Sequence, residues 1–177
     1  RFEQEMVKII ICGVCGRMGS RIASLAVQSK NEFEIVAGIE APEHTSIGKE
    51  LQLGSEISGG RAIKIESDLN RVINLTDVVI EFSNPEATLS HLPIVEKYNK
   101  AMVVGTTGFN EAELREIKSA AEHIPIVLSP NMSIGVNLLF KLVREVAKTV
   151  PDYNIEIIEL HHNQKKDAPS GTALKLA

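Results

Sequence analysis

The sequence lacks several features that would point its function elsewhere. It has no excess of positive charge: 19 lysines and arginines stand against 23 acids, a net charge of -4. A general nucleic-acid binder needs a basic face, so that class is disfavoured, although a local basic site is still allowed. No apolar run is long enough to span a bilayer, and no membrane partner is expected. The opening residues, Arg1 to Glu5, are polar and mixed in charge, unlike a signal peptide, so the expected location is the cytoplasm. No internal repeat or low-complexity segment is visible. Cysteine is scarce, with only Cys12 and Cys15. Their C-x-x-C spacing invites a zinc or redox reading. A zinc site needs about four ligands, no second cysteine pair exists, and both thiols sit in a glycine-rich turn. They are expected to be small residues tolerated in a tight loop, with no metal bound.

What is present is the composition of an ordinary globular protein, 44% hydrophobic and 24% charged over 177 residues. That length suffices for one packed domain and part of another. The first two-thirds alternate β-branched runs with helical patterns. Val7 to Cys12, Glu34 to Ile39, Asp77 to Phe82, Ala101 to Val104 and Pro125 to Leu128 read as strands, and Ala62 to Ile65 as a weaker one after the Gly/Ser-rich stretch Gly54 to Gly60. Arg17 to Ser29, Glu86 to Tyr98 and Glu111 to Glu122 read as helices, with a kink or break expected at Pro93. Such alternation predicts an α/β fold of the Rossmann type, a doubly wound parallel sheet with helices on both faces. Ligands then bind in the loops at the carboxyl ends of the strands.

From Ile134 the pattern changes. Gly135 to Thr149 reads as a long amphipathic helix, and Asn154 to Leu160 alternates as a half-exposed strand does. The boundary is placed near Ser133, giving a dinucleotide-binding domain over 1–133 and the start of an α+β substrate or oligomerisation domain over 134–177. One strand cannot form a sheet alone, so this second domain is expected to be incomplete or completed by another chain.

Gly13, Gly16 and Gly19 form G-x-x-G-x-x-G after the first strand and at the opening of a helix. Glycine allows close backbone approach, and a helix N-terminus offers free N–H groups to a pyrophosphate. Glu40 ends the second strand 21 residues past Gly19, where dinucleotide folds place an acid against the adenosine ribose. A solvated Glu40 beside an ordinary turn is the plainer alternative, but it needs three coincidences. Ala41 follows the acid, so a 2′-phosphate would lack a local basic partner. NADH use, or tolerance of both NADH and NADPH, is expected, with Arg17 the one nearby cation that could favour NADPH.

Three later loops leave the same sheet edge: Phe82-Ser83-Asn84-Pro85, Gly105-Thr106-Thr107-Gly108 and Ser129-Pro130-Asn131-Met132-Ser133. Their hydroxyls, amides and glycines can bond a nicotinamide, a ribose or a carboxylate, though the same residues dominate plain turns. The segment Glu159 to Thr172 (ELHHNQKKDAPSGT) is the most informative. Hydride reduction of a C=N or conjugated C=C bond needs a proton donor and a positive field. Histidine supplies the first near neutral pH and lysine the second. Ser170-Gly171-Thr172 opens a short helix over Ala173 to Ala177, a seat for a carboxylate. The expected substrate is therefore a small dicarboxylate with a reducible imine. Zinc binding by His161 and His162 is the weaker alternative, since adjacent side chains on a strand point apart. One of Lys165 and Lys166 is expected to be solvated. His44, His91 and His123 are read as surface or helix-face residues without a role.

These motifs resemble the dihydrodipicolinate (4-hydroxy-tetrahydrodipicolinate) reductase family. Gly13 to Gly19 reads G-V-C-G-R-M-G against the family's G-x-x-G-R-M-G, and Glu159 to Ala173 matches its E-x-H-H-x-x-K-x-D-A-P-S-G-T-A signature. The GTTG loop and Asn131 to Asn137 also match, so the resemblance covers essentially the whole chain. It implies hydride transfer from NADH or NADPH to 4-hydroxy-tetrahydrodipicolinate in the diaminopimelate route to lysine. It places Gly13, Arg17, Met18 and Glu40 at the cofactor, with Gly105, Thr107, Pro130 and Met132 beside the nicotinamide. His161 resembles the general acid and Lys165 the catalytic lysine. His162, Ser170, Gly171 and Thr172 would hold substrate carboxylates. Family chains continue past this motif and are usually homotetramers built through the second domain. Members commonly carry a basic residue near Ala41 or Asn84, and this chain does not.

Overall fold

The computed structural model describes residues 5–29, 32–51, 63–161, 163 and 168–177. The described chain forms two compact units, 1–128 and 129–177. The first unit contains β1 (Val7–Cys12), α1 (Arg17–Gln28), β2 (Phe33–Ile39), β3 (Ile65–Glu66), β4 (Val78–Glu81), α2 (Pro85–Lys97), β5 (Ala101–Val104), α3 (Glu111–Ala120) and β6 (Ile126–Leu128). All six strands pair in parallel in the order β3-β2-β1-β4-β5-β6. That is the order of a Rossmann-type fold, whose ligand crevice lies where the strand order reverses, between β1 and β4. The weak third strand is shorter than its sequence suggests, and the Gly54 to Gly60 stretch before it lies outside the described residues.

Side chains alternate across the pleat, and β1 feeds two cores. Ile9 and Ile11 pack with Val14, Ala23, Ala26 and Ile35 on the α1 face. Ile10 and Cys12 pack with Ile39, Val79, Leu92, Val95, Val104 and Ile117 on the α2–α3 face. Burying each such aliphatic side chain contributes about 1.5–3 kcal/mol, so both faces of β1 must stay apolar. That requirement explains the run of isoleucines from Ile9 to Ile11.

α2 runs without a break through Pro93, so of the kink or break its sequence suggests the break does not occur. Proline costs one backbone hydrogen bond there. Asn84 caps the helix by accepting the Ala87 amide, Pro85 fits the first turn, and Leu92 and Val95 are buried on either side of Pro93. These contacts hold the helix together.

The second unit contains α4 (Ile134–Thr149) and α5 (Gly171–Leu176). Asn154 to Leu160, expected as a strand, belongs to none. Its alternation would give a ribbon one apolar side, yet no described strand lies beside it to take its backbone groups. Ile158 and Leu160 remain 83% and 93% exposed. α4 likewise buries Phe140 while leaving Leu138, Leu139, Leu142 and Val146 exposed. Among the described residues no helix is long and apolar enough to cross a membrane.

Candidate functional site

The loop after β1 is shaped by glycine at two points. Gly13 has φ +72°, and a Cβ there would lie 2.6 Å from the Phe82 carbonyl oxygen. A Cβ on Gly19 would overlap the Gly13 backbone. The loop is tied down by the Gly13 amide, which donates to the Ile39 carbonyl at 2.9 Å, and by the Gly16 amide, which donates to Gly13 at 3.0 Å. Gly16 then precedes α1, whose opening has no side-chain cap and no acid in its first turn. Its N–H groups are thus available to an anion. Arg17 and Met18 stand exposed at this opening. The Glu40 carboxylate turns back to the loop and accepts the Cys15 amide at 2.6 Å.

A cleft of about 420 Å³ lies at this edge, lined by Gly13, Glu40, Ala41, Glu43, Ser83, Asn84, Glu86 and His91 among others. Its described lining carries three carboxylates and no lysine or arginine. Arg17, Met18, Thr106 and Thr107 are not part of that lining. The GTTG loop follows β5 and touches the β4 loop instead. The Gly105 amide donates to the Glu81 carbonyl at 2.9 Å, and a Cβ on Gly105 would overlap the Phe82 ring. Thr106 is buried with its hydroxyl 3.1 Å from that of Thr88, so it can offer a ligand its backbone, whereas Thr107 is exposed.

Below the cleft lies a polar cluster that the sequence did not announce. Glu81, the last residue of β4, is fully buried. Its carboxylate accepts the Ser83 hydroxyl at 2.5 Å and faces His91 Nδ1 at 2.7 Å. The Cys12 thiol lies within 4.8 Å of it, and burial together with Glu81 pushes that thiol well above its ordinary range. His91 is therefore no plain surface residue. The available signal was a lone acid closing an apolar strand, with a histidine ten residues later. Cys12, Glu81 and His91 could close around an ion, since their ligand atoms lie within 4.8 Å of one another. Ser83 and His91 already place one partner on each oxygen of the Glu81 carboxylate. Cys15 is exposed, and partial desolvation and Glu40 raise its thiol, with Ser46 acting the other way. His44 and His123 make local contacts, with the Ser46 amide and with Glu96.

The second unit has its own cluster. Glu159 Oε1 accepts the Ser170 amide at 2.8 Å, and its Oε2 lies 3.5 Å from His161 Nδ1. Ser170 is buried and its hydroxyl caps α5 by accepting the Ala173 amide at 3.0 Å. Asn131 orders the loop that carries Ser129, Pro130 and Met132. Its carbonyl accepts the Ser129 hydroxyl, its Oδ1 accepts the Ser133 amide, and its Nδ2 reaches the Thr172 hydroxyl at 3.5 Å. Gly171 sits against Pro130, where a Cβ would come within 3.4 Å of the ring. So Pro130, His161, Ser170, Gly171 and Thr172 come together in one unit, and Met132 stands exposed nearby in sequence. Glu159 and Asn131 are the residues in this cluster to which sequence reasoning gave no role. His162 and Lys165 lie outside the described residues.

The family profile described as dihydrodipicolinate reductase, N-terminus, matches residues 7–132, and the C-terminus profile matches 135–177. The 4-hydroxy-tetrahydrodipicolinate reductase of Aquifex aeolicus is 49% identical over 175 residues, covering 97% of this chain and 65% of its own length. That of Syntrophobacter fumaroxidans is 45% identical over 97% of this chain and 64% of its own. The chain thus spans a little under two thirds of these relatives. The dipicolinate-bound dihydrodipicolinate reductase of Paenisporosarcina sp. TG-14 superposes with a TM-score of 0.73 at 31% identity, covering 97% of this chain and 64% of that one. A scyllo-inositol dehydrogenase from Lactobacillus casei, at 16% identity and TM-score 0.56 over 83% of this chain and 44% of its own, shares the fold alone. With both profiles matched across these motifs, the chain belongs to the dihydrodipicolinate reductase family.

Proposed function

We propose that this protein reduces 4-hydroxy-tetrahydrodipicolinate to tetrahydrodipicolinate, in lysine biosynthesis through diaminopimelate, with a nicotinamide dinucleotide as reductant. The observation that carries the reading is the Glu159 carboxylate, which accepts the Ser170 amide and lies 3.5 Å from His161 Nδ1 within one motif. A proton donor and a carboxylate seat then share one anchor. The first unit fits a dinucleotide. Gly13 and Gly19 leave room where any Cβ would intrude, the opening of α1 is uncapped, and Glu40 stands where ribose hydroxyls need an acceptor.

When bound, the dinucleotide supplies the hydride. The substrate hydroxyl leaves as water together with a proton from the adjacent carbon, and the conjugated imine so formed takes the hydride at one atom and a proton from His161 at the atom on which negative charge develops. Lys165 and His162 take the roles the family resemblance implies, stabilising charge and holding a carboxylate. Ser170, Gly171 and Thr172 orient the dicarboxylate. Gly13, Gly16, Arg17, Met18, Gly19 and Glu40 hold the adenosine and pyrophosphate, while Gly105, Thr106, Thr107, Ser129, Pro130 and Met132 flank the nicotinamide.

NADH is favoured over NADPH. Three carboxylates line the cleft with no described lysine or arginine, and a 2′-phosphate would meet repulsion there. The apolar residues exposed on α4 support assembly through the second unit, in a cytoplasmic homotetramer. The test is oxidation of NADH and NADPH, followed by absorbance, with substrate generated in place by the preceding synthase. Oxidation that depends on that substrate and runs faster with NADH is the expected result. Intact NADH binding without substrate-dependent oxidation would overturn the enzyme reading.

A further inference from the structure

We propose that Asn131 is a positioning residue for the substrate: it turns the Thr172 hydroxyl so that its proton faces a substrate carboxylate. This rests on the reductase reading, in which Thr172 belongs to the carboxylate seat. Asn131 is itself firmly held. Its carbonyl accepts the Ser129 hydroxyl at 2.7 Å and the Asn137 side-chain amide, from the first turn of α4, at 2.8 Å. Its Oδ1 accepts the Ser133 amide at 2.9 Å. A backbone N–H only donates, so this bond fixes which end of the side chain is oxygen and which is nitrogen. Nδ2 is then the end that reaches Thr172 Oγ1, at 3.5 Å. Two segments 41 residues apart in sequence meet there, beside the close approach of Gly171 to Pro130.

At that length the bond adds little to stability. Its effect is directional. A threonine hydroxyl carries one proton and two lone pairs on a rotor. The Asn131 NH₂ group can only donate, so it takes a lone pair and leaves the proton to point elsewhere. Among the described residues no acceptor takes that proton, and Thr172 is half-buried, so it stays open to a ligand. The Ser170 hydroxyl nearby is buried and spends a lone pair on the Ala173 amide. Thr172 therefore offers the more accessible hydroxyl of the seat. A carboxylate only accepts. A hydroxyl preset as a donor suits it before it arrives, which lowers the ordering cost of binding.

The test uses the whole protein, with NADH oxidation as the assay and pyridine-2,6-dicarboxylate as a stable competing dicarboxylate. Asn131→Asp keeps an oxygen for the Ser133 amide and replaces the donor facing Thr172 with an acceptor. The hydroxyl should then turn toward the new carboxylate and present lone pairs to the substrate. The substrate KM and the inhibition constant of pyridine-2,6-dicarboxylate should rise about tenfold or more, the weight of one hydrogen bond to a charged group. The kcat, the NADH dissociation constant and the unfolding midpoint should change little. Thr172→Val removes the hydroxyl and should raise the same two constants. Because an added charge also repels a dicarboxylate, the double variant decides. Asn131→Asp should cost clearly less in the Thr172→Val background than in the wild type. Equal costs in the two backgrounds would overturn the proposal, and so would an NADH dissociation constant that rises as much as the KM. Thr172→Val without effect would also sink it, whether or not Asn131→Asp folds, because no hydroxyl would then be in use. Wild-type protein without substrate-dependent NADH oxidation would instead overturn the reductase reading beneath it.

Discussion

The Glu40 carboxylate accepts the Cys15 amide at 2.6 Å, which joins the acid that follows β2 to the glycine loop that follows β1. The acid is placed before any ribose arrives, and the loop cannot shift without moving it. Hydrogen bonds to a charged group are worth about 1.5–3 kcal/mol. Glu40→Ala should therefore weaken NADH binding about ten- to hundredfold and NADPH binding less, because the repulsive charge goes too. The ratio of the two dissociation constants measures this. A ratio that stays fixed would show that Glu40 does not discriminate between them.

Gly13 and Gly48 separate two costs of replacing glycine. Both have positive φ, +72° and +77°, but a Cβ on Gly13 meets the Phe82 backbone at 2.6 Å while one on Gly48 meets nothing within 4 Å. The left-handed conformation alone costs roughly 1–2 kcal/mol for a residue with a Cβ. Gly48→Ala should lose about that much stability in urea unfolding and leave NADH binding intact. Gly13→Ala should lose clearly more and bind NADH poorly, since the loop must move. Equal losses would mean that the β4 backbone yields freely.

The parts of the molecule legible in the sequence are those where a local rule and the tertiary environment agree. β1 and its glycine loop read correctly because a strand buried on both faces must be apolar on both, as Ile9 to Ile11 are, and a backbone packed on Phe82 must be glycine. Asn154 to Leu160 misled because alternation reports the faces of a strand and not the neighbour it needs. At Pro93 the sequence left a break open because the cost of one hydrogen bond is local, whereas the packing of Leu92 and Val95 that offsets it is not. Thr106 was read with its loop as a ligand group, yet its hydroxyl meets Thr88 from α2, 18 residues away in sequence. The Glu81 cluster joins residues of β1, β4, the β4 loop and α2, so only the folded chain reveals it.

Burial and Glu81 keep the Cys12 thiol protonated well above its ordinary range. The folded state then holds a proton that the unfolded chain releases above about pH 8.5. Stability is full below that pH and falls as pH rises, until the folded thiol itself ionises. The slope in that window should approach about 1.4 kcal/mol per pH unit from Cys12, with a smaller part from Cys15, whose thiol is also raised. Urea midpoints at neutral and mildly alkaline pH measure it, and Cys12→Ala should flatten the dependence. A thiol reagent should label Cys15 in the native protein and Cys12 only after unfolding. Rapid labelling of both would contradict the burial of Cys12.

Glu159 places one oxygen on the Ser170 amide and the other 3.5 Å from His161 Nδ1. A carboxylate in that position orients an imidazole and fixes which nitrogen carries the transferable proton, as in other histidine–carboxylate pairs. His161→Ala should reduce turnover about a hundred- to ten-thousandfold, the usual weight of a general acid. Glu159→Gln preserves shape and one acceptor but can donate toward the ring instead of accepting from it. It should lower kcat by at least about tenfold, within the range a mispositioned acid costs, and leave the NADH dissociation constant unchanged, because the proposed adenosine and pyrophosphate contacts all belong to the first unit. A rise in the substrate KM with kcat preserved would mean that Glu159 serves only the Ser170 carboxylate seat. A fall in kcat with KM preserved would mean that its approach to His161 is what matters.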